Sequence, residues 1–347
     1  MSNRYLFVIV AVLVFIYSTS FAVETDRLIM SGIKLKAEEA ESLEKQVEKD
    51  PNDIASRTKL LVYYFRKQVV DQSARESRQK LILWLIMNSP ESEILATPYG
   101  ALNTYMDKEV YSQGKKAWID QLKKNPDNLK LLENSANFFQ LDDRELAEKS
   151  LQKARSIDMD NPKWPEKLGR LYSMDMTSRS LEIKTVAAGK ALEQYEIAYK
   201  LSTDEKRDVL LKPIARTAHA ANRPEKAKEY AEKMLSQNRP GWNYGNNIHH
   251  ANIILGRIAL AAGDLEQAKK RLIEAGKTPG SPQLNSFGPS MALAKELLEK
   301  GEKDVVLEYF KLCSKFWKSE RHLQKLKEWS AEVKEGKMPN FRANLRY

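Results

Sequence analysis

Residues 255–275 read LGRIALAAGDLEQAKKRLIEA, and this stretch decides the fold. Leu255-Gly256 and Ala259 recur at helical spacing, Gly263-Asp264 breaks the pattern, and Ala268, Leu272 and Ala275 resume it. The spacing predicts two helices joined by a tight turn at Gly263-Asp264. The small residues let the two antiparallel helices approach closely, while Leu255 and Leu272 fill the space between them. Such a pair cannot bury its own apolar face, so stacked neighbours are required.

Related units are found by working outward. One carries Leu168-Gly169 and Tyr172, then Ala191, Tyr195 and Ala198, with a longer turn from Ser173 to about Glu182. Others are built on Ser135, Phe138, Ala147, Leu151 and Ala154, on Ala215, Ala218, Asn222, Ala227 and Ala231, and on Ala294, Leu297, Gly301, Val306, Phe310 and Cys313. A degenerate unit follows Asp50-Pro51-Asn52, with Leu60-Leu61 and Tyr64. Asn125-Pro126-Asp127 and Asp160-Asn161-Pro162 are breaks of the same kind, where proline stops one helix and Asn or Asp caps the next.

This set resembles the tetratricopeptide repeat, with its Leu-Gly pair, a glycine turn and spaced Ala-aromatic-Ala on the second helix. Ser135 and Gly169 occupy equivalent positions 34 residues apart, the repeat length of that family. The resemblance implies an all-α fold: a right-handed α-solenoid of about six stacked helix-turn-helix units over residues 23–318, with a concave inner surface. Residues 319–347 are expected to add a capping helix, Glu320 to Lys334, and a tail.

Composition agrees with a helical reading. Charged residues make up 30% of the chain, and 14 Gly and 13 Pro leave long uninterrupted helical stretches. Apolar residues at 42% are enough for a core, which excludes wholesale disorder. The formal charge of +10 favours anionic partners: acidic proteins, envelope polymers, anionic lipid or nucleic acid; no nucleic-acid partner is expected, because export removes that ligand and no readout module is visible. A merely soluble basic surface has the same composition.

Residues 1–22 form a short polar start with Arg4, an apolar run from Leu6 to Tyr17, and small residues at Ser20 and Ala22 before Val23-Glu24. This is the three-part pattern of a secretory signal peptide cleaved after Ala22. The run spans 12 residues, short of the roughly 20 of a spanning helix, so an uncleaved anchor is the weaker alternative. Removal of Arg4 would leave the exported chain at +9, in a periplasmic or extracellular space. The absence of any Asn-x-Ser/Thr acceptor favours a bacterial envelope.

No catalytic motif is present: there is no phosphate-cradling glycine loop, nucleophile elbow or paired-carboxylate pattern, and the chain reads as a non-enzyme. One cysteine, Cys313, excludes a multi-cysteine metal site and reads as a buried, inert thiol. His249 and His250 are adjacent and diverge by about 100° on a helix, so they cannot chelate a metal at i, i+4 spacing. No cofactor or metal is expected.

The resemblance further implies that the first helix of each unit lines the concave groove. The residues at these positions are Lys167 and Arg170, then Lys212, Arg216 and His219, then His250 and Arg257, then Lys295. This basic groove suits an acidic protein or peptide partner through charge-assisted hydrogen bonds. Some family members clamp a carboxylate with Lys, Arg and Asn here; this chain lacks the paired asparagines. Trp242, Tyr244 and Phe287, in Gly/Pro/Asn-rich connections, are further contact candidates or fold back to plug gaps between repeats. A peripheral association with anionic lipid or polysaccharide through the basic surface is the alternative reading. Oligomeric state and the identity of the partner are not encoded in any motif.

Overall fold

A computed structural model describes residues 24–178, 180–237 and 241–345. The expected signal peptide and its cleavage site lie outside these residues. The described residues contain helices and no strand, and they divide into two compact units, one up to residue 159 and one from residue 160 onward.

Unit 1 opens with helical residues 24–34, followed by α1 (Ala37–Lys49), α2 (Ile54–Lys67) and α3 (Gln72–Asn88). Two 3-10 turns (Glu93–Ala96 and Pro98–Gly100) then precede α4 (Lys108–Lys124), α5 (Leu129–Phe139) and α6 (Arg144–Ile157). The sequence dictates where these helices begin. Asp53 caps α2 by accepting from the Ser56 N–H at 2.9 Å, and Asn128 caps α5 by accepting from the Lys130 and Leu131 N–H groups. Leu60, Leu61 and Tyr64 of α2 are buried, as are Ser135, Phe138, Ala147, Leu151 and Ala154 of the α5/α6 pair.

Between these pairs, a first helix is replaced by the 3-10 segment, which packs on α2, α3 and α5. Proline at positions 90 and 98 forbids a continuous helix there. The exposed backbone is answered by side chains of the flanking helices. The Asn134 amide donates to the Pro90 and Ser92 carbonyls at 2.7 and 3.1 Å, and the Asn137 amide to those of Leu95 and Thr97 at 2.8 and 3.0 Å. Arg78 donates to the Tyr99 and Ala101 carbonyls. Ile94 and Leu95 sink into the core beneath them.

Unit 2 is a stack of packed helix pairs. It comprises α7 (Lys163–Asp175) with α8 (Leu181–Leu201), α9 (Asp204–Ala220) with α10 (Pro224–Ser236), and α11 (Tyr244–Ala261) with α12 (Leu265–Gly276). The short α13 (Pro282–Phe287) leads into α14 (Ala292–Glu299) and α15 (Lys303–Cys313), and α16 (Glu320–Lys334) packs on α15 to close the unit. First helices touch first helices: α9 meets α11, and α11 meets α14. The small residues sit where helices cross. A Cβ on Gly169 would stand 2.8 Å from the Tyr195 ring, and one on Gly256 2.3 Å from Leu293.

The turns of three successive pairs share one device. Asn222, Gly263 and Gly301 have positive φ, and the next residue's N–H reaches back five residues: Arg223 to Ala218, Asp264 to Ala259, Glu302 to Leu297. This is the Schellman end, which satisfies carbonyls that the terminated helix leaves open. The C-terminal residues beyond α16 pack back onto the unit. Phe341 is buried against Phe310 and Trp329, and Asn344 donates to the Pro289 carbonyl at 2.9 Å and accepts from the Met291 N–H at 2.8 Å.

Candidate functional site

All eight groove candidates lie in unit 2, on the first helices α7, α9, α11 and α14. Lys212, Arg216 and His219 recur at i, i+4 and i+7, so they share one face of α9; His250 and Arg257 are seven apart on α11, which packs directly on α9. These five residues form one basic cluster. Lys212 is half-buried, and burial, then the nearby Arg216 guanidinium, lowers its pKa to about 8. It has no hydrogen-bond or ion-pair partner among the described residues. Burial and Arg257 lower the His219 pKa to about 4, and His250 is held well below the usual imidazole range by burial, then Lys212, His249 and Arg216.

The ends of the row differ. Arg257 binds Glu296 of α14 through Nε at 2.9 Å and Nη2 at 2.6 Å, a bidentate pair that ties α11 to α14. Lys295 is paired with Glu299 at 2.6 Å, and Arg170 with Glu166 at 3.1 Å, each along its own helix. Lys167, half-buried on α7, is engaged as well. Lys212 is thus the cation of this row for which no hydrogen bond or ion pair is present among the described residues.

His250 is itself buried, and its ring stands edge-to-face on that of His249 with centroids 5.0 Å apart. His249 is a structural residue. Its Nε2 accepts from the Ser290 N–H at 2.9 Å, which forces the proton onto Nδ1, and Nδ1–H donates to the Ala275 carbonyl at 3.0 Å. One neutral imidazole therefore joins α11, the end of α12 and the connection into α14. Burial drives its pKa down to about 4, with Lys212 adding to the effect and the Ala275 carbonyl opposing it.

A polar ladder runs along the start of α11. Asn247 donates to Asp208 Oδ1 at 3.0 Å and Asn243 to Oδ2 at 3.3 Å, while Asn246 donates to Gln283 and accepts from Ser281 at 2.7 Å. Tyr244, expected in a connection, opens the first turn of α11. Of the aromatic candidates nearby, Trp242 and Phe287 are 58% and 60% exposed, and Tyr244 is half-buried. Phe316 and Trp317 fill the interior near them instead, beneath Gly280 and Gly288, where an added Cβ would meet their side chains at 2.8 and 2.7 Å.

Cys313 is buried, and burial raises its thiol well above the usual range, in keeping with an inert thiol. Among the described residues there is no cluster of His, Cys, Asp and Glu suited to a metal, and no helix long and apolar enough to cross a membrane.

No protein-family model and no curated protein sequence matches the chain. Among solved structures, it is similar to PilF of Pseudomonas aeruginosa at 15% identity and a TM-score of 0.39, over 73% of this chain and 98% of that one. It is similar also to PilW, a widely conserved type IV pilus biogenesis factor, at 18% identity and a TM-score of 0.40, over 72% of this chain and 97% of that one. Superpositions this loose carry no argument about function, and the helix pairing seen in the chain itself carries the architecture.

Proposed function

We propose that this is an exported, non-catalytic interaction protein that holds an acidic protein or peptide segment against the basic face of α9 and α11. One observation carries the reading: Lys212 is half-buried one turn from Arg216 on α9, and it has no hydrogen-bond or ion-pair partner among the described residues. Charge withdrawn from water costs free energy unless it is paired, and a carboxylate from a partner supplies the pairing. Stacked first helices provide the surface along which an extended segment lies. Export is supported by the pattern of residues 1–22, and the mass of the exported product is expected to fit a chain beginning at Val23.

The test uses fluorescence anisotropy with N-acetylated penta-aspartate, and with penta-lysine as a control. A variant carrying Glu at positions 212, 216, 257 and 295 is compared with the wild type. Binding of the acidic peptide by the wild type, weakening steeply with salt and lost by the variant, is the expected result. Equal binding by both proteins, or none by the wild type alongside retention on phosphatidylglycerol vesicles, overturns the proposal.

A further inference from the structure

In a stack of antiparallel pairs, every connection from a second helix to the next first helix leaves at the same end of the unit. Three such connections in unit 2 are joined by contacts. The α10–α11 connection meets the α12–α14 connection where the Gly280 carbonyl lies against Gly245, and where Asn246 hydrogen-bonds Ser281 and Gln283. The α12–α14 connection meets the α15–α16 turn, with Gly280 against Phe316 and Gly288 against Trp317. The three therefore form one continuous edge.

That edge combines exposed apolar groups with concentrated positive charge. Trp242, Phe287 and Leu323 are all exposed on it. The turns at the other end of the same pairs read Ala221-Asn222-Arg223, Ala262-Gly263-Asp264 and Lys300-Gly301-Glu302, without a large apolar residue. Around the α15–α16 turn, residues 311–327 contain six Lys or Arg and one Glu. Lys315, Lys318 and Arg321 are exposed, and their side chains make no hydrogen bond or ion pair among the described residues. Lys318, Arg321 and Lys327 surround Leu323 in one shallow depression, where the carboxylate present is that of Glu320. Other acids of the edge are engaged: Glu328 by Gln324, Asp208 by Asn243 and Asn247, Glu274 by Lys277, and Glu308 by Lys311.

Exposed rings beside cations on long alkyl stems suit the boundary of a lipid bilayer, where rings lie among headgroups and lysines reach the phosphates. A row of connection tips offers more contact to a plane than to an extended peptide. Lysine-rich charge also meets a sheet of phosphates without requiring the fixed geometry of a paired fork. We propose that this edge of unit 2 docks on an anionic lipid surface, with Trp242 and Phe287 among the headgroups and the α15–α16 turn against their phosphates. Its residues differ from those of the basic face of α9 and α11, and lipid docking does not depend on a ligand there.

The experiment measures depth at defined positions of the full chain. Cys313 is buried and burial raises its thiol, so a thiol-reactive, environment-sensitive fluorophore goes to an introduced cysteine. Ser286→Cys places the label beside Phe287. Ala262→Cys places it past the far end of α11, which has 18 residues and is about 27 Å long. Vesicles of phosphatidylcholine with about 30% phosphatidylglycerol are compared with vesicles of phosphatidylcholine alone. On the anionic vesicles the label at 286 is expected to brighten and to be quenched by nitroxide-bearing lipid, while the label at 262 stays in water. Neutral vesicles are expected to give no signal, and high salt to weaken it. Lys315→Gln, Lys318→Gln and Arg321→Gln together are expected to remove it, since each cation near such a surface changes affinity about fivefold. Trp242→Ser with Phe287→Ser is expected to reduce the quenching. Because two positions of one chain are compared, an amino-terminal segment that itself held the vesicle would leave the result readable. No signal at 286, equal signals at 286 and 262, an equal signal on neutral vesicles, or a signal unchanged by either set of substitutions overturns the proposal.

Discussion

His249 shows how much a single buried side chain can carry in this protein. Its two ring nitrogens serve a carbonyl 26 residues away and an N–H 41 residues away, so they fasten one repeat to the next. The sequence makes the His249-His250 dipeptide visible, and helical geometry excludes a shared metal. It does not reveal that one ring is a structural bracket, because both partners are backbone groups without a side-chain signature. Its neutrality has a consequence for stability. The folded-state value is depressed to about 4 from the ordinary 6.5, so above pH 6.5 both states are neutral and the group contributes no pH dependence. As pH falls from about 6.5 towards 4, the unfolded chain takes a proton that the native ring refuses. Native stability then falls by up to about 1.4 kcal/mol per pH unit for this one group. Thermal melts at pH 7 and pH 5 are expected to show the loss, with His250 adding to it. His249→Gln, whose amide is uncharged, is expected to reduce the acid slope while lowering Tm at pH 7. A slope unchanged by the substitution would show that His249 titrates normally.

At the scale of elements, the helix pairs were legible because each is written in local spacing. Leu255-Gly256, Gly263-Asp264 and Ala268 announce two helices and a turn within 14 residues, and Leu168-Gly169 with Tyr172 marks another first helix. The 3-10 segment was not legible, since the residues that hold it, Asn134 and Asn137, lie some 40 positions downstream, where they look like ordinary polar helix residues. The candidate site was legible in part for the same reason. Basic residues at first-helix positions can be read directly, but the Arg257–Glu296 pair spans 39 positions and has no local signature. The turns offer a clean test of local reading. Asn222 sits at positive φ where Gly263 and Gly301 stand in the next pairs, and it is exposed. Asn222→Gly is therefore expected to stabilise the protein by about 0.5–1 kcal/mol, and Gly263→Ala, which forces a side chain into the same conformation, to cost about 1 kcal/mol. Chemical denaturation gives both values. A destabilised Asn222→Gly would mean that the asparagine side chain contributes a bond beyond its backbone tolerance.

At the scale of the molecule, stacked pairs touch only their neighbours, so damage is expected to stay local. The residues after α16 provide the place to test this. Phe341 lies in the aromatic cluster of Phe310, Trp317 and Trp329, and Asn344 completes the hydrogen bonding of the connection at Pro289 and Met291, so residues read from sequence as a tail serve as a clasp on the last pair. Phe341→Ala removes a buried ring and is expected to cost about 3–5 kcal/mol where the ring packs. If the stack behaves as a chain of nearest-neighbour interfaces, hydrogen exchange will quicken in α14, α15 and the 278–291 connection, less in α11, and not at all in unit 1. If the basic face of α9 holds an acidic peptide as proposed, that affinity will then be kept, because Lys212 and Arg216 stand two pairs away from the cluster. Uniform acceleration across both units would instead mean that the protein unfolds as one cooperative body. In that case the last pair would set the stability of the binding face, and loss of Phe341 would weaken ligand affinity and the fold together.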